Sequence, residues 1–138
     1  MKVRELMSGP VESVEPGDTV FEAARRMRSF DVGVLPVRDA GGLAGVLTDR
    51  DIVVRVVAEG GDPRQIDVRE VMTRRPVACY VDQDVRDAAR LMERSRVRRL
   101  PVLDYQDRLV GVLSLGDLPK KAEGLRVAAE VLEAVAAK

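Results

Sequence analysis

Histidine and tryptophan are absent from this chain of 138 residues, which also contains a single cysteine and only 3% aromatic residues. The absence of histidine excludes His-based general acid–base catalysis, Ser-His and Cys-His nucleophiles and every metal site that uses imidazole. The scarcity of aromatic residues argues against a platform that stacks single-stranded bases. We therefore expect neither an enzyme nor a metal-dependent protein, and no catalytic residue or catalytic cofactor.

The charges balance, with 23 Lys and Arg against 23 Asp and Glu. Because nucleic acids and anionic membranes attract proteins through a positive field, a net charge of zero predicts neither as a partner. No apolar run approaches the ~20 residues that span a bilayer. The single Cys79 cannot form an intramolecular disulfide, so we expect a buried, inert thiol and a cytoplasmic protein. An intermolecular disulfide or a reactive thiol is the alternative.

The chain contains an internal repeat whose two copies keep nearly constant register. Residues 3–7 recur as residues 68–72, residues 35–37 as residues 100–102, and residues 45–48 as residues 111–114. Chance similarity does not hold its register over such a distance, and this indicates a tandem duplication. The predicted division is 1–62 for the first repeat, 63–124 for the second and 125–138 for a C-terminal helix.

Each copy shows the same order of predicted elements. In the first copy we expect strands at 11–14, 32–37 and 43–47 and a helix at 49–59. In the second we expect strands at 77–81, 97–103 and 109–113 and a helix from Asp117 to Ala137. A further amphipathic helix follows the first strand of each copy; it begins at Asp18-Thr19 and at Asp84, and its apolar faces are Val20, Ala23, Ala24 and Met27, and Val85, Ala88, Ala89 and Met92. The predicted fold is α+β, with two β-α-β-β-α units packed about a pseudo-two-fold axis.

A Gly-x-x-[Thr/Ser]-x-x-Asp motif occurs in both copies, where a strand runs into a helix. It reads Gly45 to Asp51 in the first copy and Gly111 to Asp117 in the second. One interpretation is structural: Thr48 and Ser114 cap the helices, and the aspartates lie beside the positive end of the helix dipole. The other is functional, since a helix N-terminus with a hydroxyl suits a phosphate and a carboxylate can accept hydrogen bonds from a ribose. The glycine would let the backbone approach a ligand.

These motifs, with the Met-x-x-Pro-Val and Met-x-x-x-Pro-Val segments and the two Leu-Pro-Val strands, resemble the cystathionine-β-synthase-type (CBS) domain family in a tandem pair. The resemblance implies a sensor of adenosine ligands. It implies ribose binding by Asp51 and Asp117, and phosphate or ribose contacts by Thr48 and Ser114. Basic residues before Leu-Pro imply phosphate contacts by Arg98 and Arg99, where the first copy has Gly33 and Val34. The full set of implied nucleotide-binding residues is Val11, Val34, Pro36, Thr48, Asp49, Arg50, Asp51, Val77, Arg98, Arg99, Leu100, Pro101, Ser114, Leu115, Gly116 and Asp117.

The expected function is regulation through binding of AMP, ADP or ATP between the two repeats. The alternatives are a structural dimerisation module without a nucleotide, and a binder of S-adenosylmethionine or NAD. We also expect a homodimer that acts on a regulated protein the sequence does not identify. The apolar surface predicted for self-association comprises Leu125, Val131, Leu132 and Val135.

Overall fold

The computed structural model describes residues 1–120 and 122–136, with side chains described within 1–118 and 129–136. These residues form two compact units. The first unit is Glu12–Pro76, and the second combines Met1–Val11 with the chain from Val77 onward. Each unit contains one three-stranded sheet together with helices, which confirms the α+β prediction.

The first unit is built around an antiparallel sheet of three strands, in the order β1 (Val34–Asp39), β2 (Gly42–Thr48) and β3 (Thr73–Arg74). A two-residue turn, Ala40-Gly41, joins β1 to β2; both residues have positive φ, as a tight hairpin between twisted strands requires. The prediction of a strand at 11–14 is wrong, because within that segment only Val14 pairs, through an isolated parallel bridge with Val37. The elements are α1 (Val20–Phe30), β1 (Val34–Asp39), β2 (Gly42–Thr48), α2 (Asp49–Ile52), a π-helical turn (Val53–Val57), α3 (Val68–Val71) and β3 (Thr73–Arg74).

The second unit contains a sheet of three strands, in the order β4 (Cys79–Tyr80), β5 (Arg99–Leu103) and β6 (Leu109–Ser114). In it, β4 is parallel to β5 and β5 is antiparallel to β6. Ser8 adds an antiparallel bridge with Val112, as Thr73 does with Val46 in the first unit. The elements are a 3-10 turn (Val3–Glu5), β4 (Cys79–Tyr80), α4 (Val85–Ser95), β5 (Arg99–Leu103), β6 (Leu109–Ser114), a 3-10 helix (Leu115–Lys120) and α5 (Ala122–Ala136). The strand β4 is shorter than the predicted 77–81.

The leading segments of the two repeats, residues 3–8 and 68–73, are exchanged between the units. Val3 donates its backbone N–H to Gln83 O at 2.9 Å, and Val68 donates to Asp18 O at 2.8 Å. Both valine side chains are fully buried, each in the core of the unit built mainly from the other repeat. The sheet of each unit therefore pairs with a segment that belongs to the other repeat.

The amphipathic helices α1 and α4 bury the predicted faces. Val20, Ala23 and Met27 lie in the first core, with Ala24 half-buried, and the four predicted α4 residues are all buried in the second. Thr19 Oγ1 accepts from Glu22 N at 3.1 Å, and an oxygen of Asp84 accepts from Arg86 N at 2.8 Å. The predicted starts of both helices are confirmed because each first turn has its side-chain cap.

The second helix of each repeat differs from its prediction. The helix that starts at Asp49 ends at Val57 rather than residue 59, and its last turn is π-helical, with Ala58 N donating to Val53 O at 2.9 Å. Four valines in five positions crowd the preceding turn, and the wider turn relieves this crowding. The predicted continuous helix from Asp117 is instead a 3-10 helix followed by α5, since Pro119 has no N–H for an α-helical bond. Residue 137 lies outside the described residues.

The burial predicted for Cys79 is confirmed, whereas the exposure predicted for Val131 is not. Cys79 is fully buried, as expected, and burial raises the pKa of its thiol to about 12, against the smaller opposite effect of a backbone hydrogen bond. The thiol is therefore protonated at neutral pH and a poor nucleophile.

Val131 was wrongly predicted to lie on an outer surface, because it is 1% exposed and packs in the second core. Leu132 is 49% exposed, Val135 is partly buried against the same core, and the side chain of Leu125 lies outside the described residues.

Candidate functional site

The turn from β2 into α2 in the first unit is closed by two reciprocal hydrogen bonds. Thr48 Oγ1 accepts from Asp51 N at 3.0 Å, and Asp51 Oδ2 accepts from Thr48 N at 3.0 Å. This capping box confirms the N-cap role predicted for Thr48. It also fixes the orientation of the Asp51 carboxylate, whose side chain is 13% exposed.

The glycine of each motif serves the packing of a leading segment. A Cβ atom on Gly45 would lie 2.6 Å from Thr73 O and 2.9 Å from Met72 Sδ. A Cβ on Gly111 would lie 2.8 Å from Met7 Sδ and 2.9 Å from the backbone oxygen of the following serine. The space that a side chain would need at each glycine is filled by protein, so the packing of the leading segments by itself requires a glycine at both positions.

The first three backbone amides of α2 all have acceptors within the chain. Asp49 N donates to Gly33 O at 2.8 Å, Arg50 N donates to Asp49 Oδ1 at 2.8 Å, and Asp51 N donates to Thr48. These are the donors that a helix N-terminus ordinarily offers to an anion. Asp49 and Arg50 themselves are exposed.

Arg55 is a residue at this turn that the sequence analysis did not identify. Its Nε lies 3.8 Å from Asp51 Oδ1, and its Nη1 donates to Val71 O at 3.0 Å. It thus connects the carboxylate of the motif to the end of α3, where free carbonyls favour a cation. The signal in the sequence was the (i, i+4) spacing of an acid and a base on one helix.

The corresponding turn of the second unit uses one carboxylate oxygen for both bonds. Asp117 Oδ2 accepts from Ser114 N at 2.8 Å and from Ser114 Oγ at 2.9 Å. The serine hydroxyl therefore donates to the aspartate, whereas the hydroxyl of Thr48 accepts from an amide. Asp117 is 8% exposed, and the main-chain N–H of Leu115 donates to Arg98 O at 2.8 Å.

The structure brings the residue before each Leu-Pro pair to the motif hydroxyl of its own unit. Val34 pairs with Thr48 across β1 and β2, and Arg99 pairs with Ser114 across β5 and β6. The remaining implied residues differ in exposure: Arg98, Arg99, Val77 and Gly116 are exposed, Val11 and Val34 are half-buried, and Pro36, Leu100, Pro101 and Leu115 are buried.

In the part of the chain that the structure describes, no group of three or more acidic or cysteine side chains is arranged to hold a metal ion. Among the same residues, no helix is long and apolar enough to cross a membrane.

Several known proteins are similar to this chain in sequence and in fold. A CBS domain-containing protein of Bacillus subtilis, YhcV, is 43% identical over 116 residues, which are 84% of this chain and 81% of that protein. The structure of CBSX2 in complex with AMP has a TM-score of 0.74 and 26% identity, covering 95% of this chain and 98% of the other. The CBS domain pair of protein MJ0100, in complex with 5′-methylthioadenosine and S-adenosyl-L-methionine, has a TM-score of 0.75 and 26% identity, covering 87% and 94%.

The CBS domain family model matches this chain twice, over residues 3–58 and again over residues 68–123. These two matches include both strand-to-helix turns and both leading segments. The chain therefore belongs to the CBS domain family, and it carries two CBS domains in tandem.

Proposed function

We propose that this protein is a regulatory module that binds an adenosine nucleotide, AMP, ADP or ATP, at the strand-to-helix turns of its CBS domains. The observation that carries the proposal is the duplicated turn, in which a hydroxyl and an aspartate are held together in each unit. A carboxylate can accept hydrogen bonds from ribose hydroxyls, as acidic residues do in dinucleotide-binding folds. Two structures of the same fold contain adenosine-type ligands, which supports the same ligand class here.

In this proposal, polar residues around the turns bind the ribose and the phosphate, and apolar residues contact the adenine. Asp51 and Asp117 bind ribose, while the exposed Arg98 and Arg99 contact phosphate. Val11, Val34 and Val77 line the adenine pocket. The side chains of Leu100 and Leu115 are buried in the core, and Leu115 N already donates to Arg98 O. Occupancy, rather than catalysis, is the output, and it acts on a separate regulated protein.

Thermal unfolding with a panel of ligands tests the proposed function. We expect AMP, ADP or ATP to raise the melting temperature, because a ligand at one hundred times its Kd stabilises the folded state by about 2.7 kcal/mol. Cytidine nucleotides at equal concentration are the control for unspecific effects of charge. S-adenosylmethionine and NAD belong in the same panel. If no adenosine compound shifts the transition, the chain is a structural dimerisation module instead.

A second part of the proposal is that the protein forms a homodimer through the helix that follows β2. Val53, Val54 and Val57 are 57%, 45% and 63% exposed, although they are large apolar side chains on one short helical segment. A second copy of this chain suits the surface, because an antiparallel pair brings Arg50 of one copy toward Glu59 of its partner. Such an isologous contact buries the same three valines in both copies.

Replacing Val53 and Val57 together with serine should convert the dimer to a monomer at micromolar concentration. Each apolar contact is lost in both copies, and we expect the dimer dissociation constant to rise by at least about tenfold. Sedimentation velocity measures the change. Tyr105→Ser is the matched control, since it removes a side chain that is 74% exposed in the other unit. A monomeric wild type, or equal behaviour of both variants, would contradict the predicted interface.

A further inference from the structure

The two strand-to-helix turns differ in charge at four aligned positions. Asp49 and Arg50 of the first repeat correspond to Leu115 and Gly116 of the second, and Gly33 and Val34 correspond to Arg98 and Arg99. Asp49 is exposed on its turn, whereas Leu115 is buried in the core. Arg98 is exposed beside its turn, where the first repeat has no side chain. The first turn therefore carries a carboxylate and a guanidinium group, Asp49 and Arg50, that the second lacks, whereas the second carries two guanidinium groups, Arg98 and Arg99, that the first lacks.

The Asp49 carboxylate occupies a defined position. Its Oδ1 accepts from Arg50 N at 2.8 Å. A Cβ atom added to Gly33 would lie 2.8 Å from Asp49 Oδ2, a distance that real Cβ atoms essentially never show. A side chain at position 33 would thus have to displace the carboxylate. The absence of a side chain at position 33 and the position of the Asp49 carboxylate therefore depend on each other.

The amides of Asp49, Arg50 and Asp51 all donate to acceptors within the chain. The bond from Asp49 N to Gly33 O has a counterpart in the second unit, from Leu115 N to Arg98 O, so the acceptor that belongs to the first turn alone is the Asp49 carboxylate, which accepts from Arg50 N. A phosphate arriving at this turn would meet no amide of the first turn without a partner, and it would approach a fixed negative charge. Ribose hydroxyls, in contrast, can still donate to the Asp51 carboxylate.

We propose that Asp49 is a specificity-determining residue that makes the turn of the first unit reject phosphate. This turn accepts a neutral or positively charged adenosine derivative, whereas the turn of the second unit, with Arg98, favours a phosphorylated one. The inference rests on the proposed function, since it assigns a ligand class to each turn of the same module.

Isothermal titration of adenosine and of AMP into the Asp49→Asn variant tests the proposal. The asparagine oxygen can still accept from Arg50 N, and Arg50 itself is unchanged, so the substitution removes only the charge. We expect the affinity for AMP to rise by about three- to tenfold, because one repulsion with the phosphate is lost. The affinity for adenosine should stay within about twofold of wild type, because a neutral ligand meets no such repulsion. Asp39→Asn, an exposed aspartate of the same unit, is the control for net charge.

Each other outcome overturns a specific statement. An unchanged ratio of AMP to adenosine affinity in Asp49→Asn overturns the role of Asp49 and leaves nucleotide binding intact. The same change in Asp39→Asn overturns it as well, since the effect would then come from net charge. If the wild type binds neither compound, the proposed function fails, and this inference fails with it.

Discussion

Replacing Asp51 or Asp117 with alanine is expected to weaken binding of an adenosine nucleotide by about ten- to a hundredfold. The expectation follows from the loss of hydrogen bonds between ribose hydroxyls and a charged group, which contribute about 1.5–3 kcal/mol. Titration calorimetry of AMP measures the change in Kd. Each variant also loses the carboxylate that holds its own turn, so some stability is lost with affinity.

The chain offers a matched control for each of these variants. Glu70 accepts from Asp67 N at 2.7 Å, and Glu5 accepts from Lys2 N at 2.6 Å, with the spacing that Asp51 and Asp117 use. Glu70→Ala and Glu5→Ala should therefore lose comparable stability in the same two units. They should leave the nucleotide Kd unchanged. If they weaken binding as much as the aspartate variants do, the aspartates are caps and not ligands of the nucleotide.

Arg98→Ala is expected to weaken AMP binding by about tenfold or more and to leave adenosine binding nearly unchanged. The guanidinium group of Arg98 is exposed, and a hydrogen bond from it to a phosphate oxygen would be charge-assisted. The substitution leaves the backbone bond from Leu115 N to residue 98 O in place, so the turn itself is retained. Calorimetry with both ligands separates the two effects.

Arg94→Ala is the appropriate control for the loss of a positive charge. Arg94 is exposed on α4 of the same unit. It should change the affinities for AMP and adenosine only slightly, and by equal factors. Equal losses of AMP and adenosine affinity in Arg98→Ala would exclude a phosphate role for this residue.

The repeat and the amphipathic helices could be predicted from the sequence because they rest on local spacing. The periodicity of Val85, Ala88 and Met92 specifies a buried face wherever that helix packs. The hydroxyl of Thr48 specifies its cap for the same reason, since donor and acceptor are three residues apart.

Features that depend on distant residues were not predictable in this way. The role of Gly45 follows from Thr73, which lies far along the chain, and no local pattern connects the two. The outcome for Val131 likewise depended on which neighbours α5 would find. The bond from Asp49 N to Gly33 O likewise required the pairing of β1 with β2, which brings two residues distant in sequence together.

The exchange of leading segments has a consequence for the order of folding. The first unit is one continuous stretch, Glu12–Pro76, so its contacts can form as soon as that stretch has been synthesised. The second unit needs Met1–Val11 to meet residues beyond Val77, which closes a loop containing the entire first unit. Loop closure costs entropy, and contacts between distant residues slow folding. If the first unit forms before the second, that loop is shortened, and the entropic cost of completing the second unit falls.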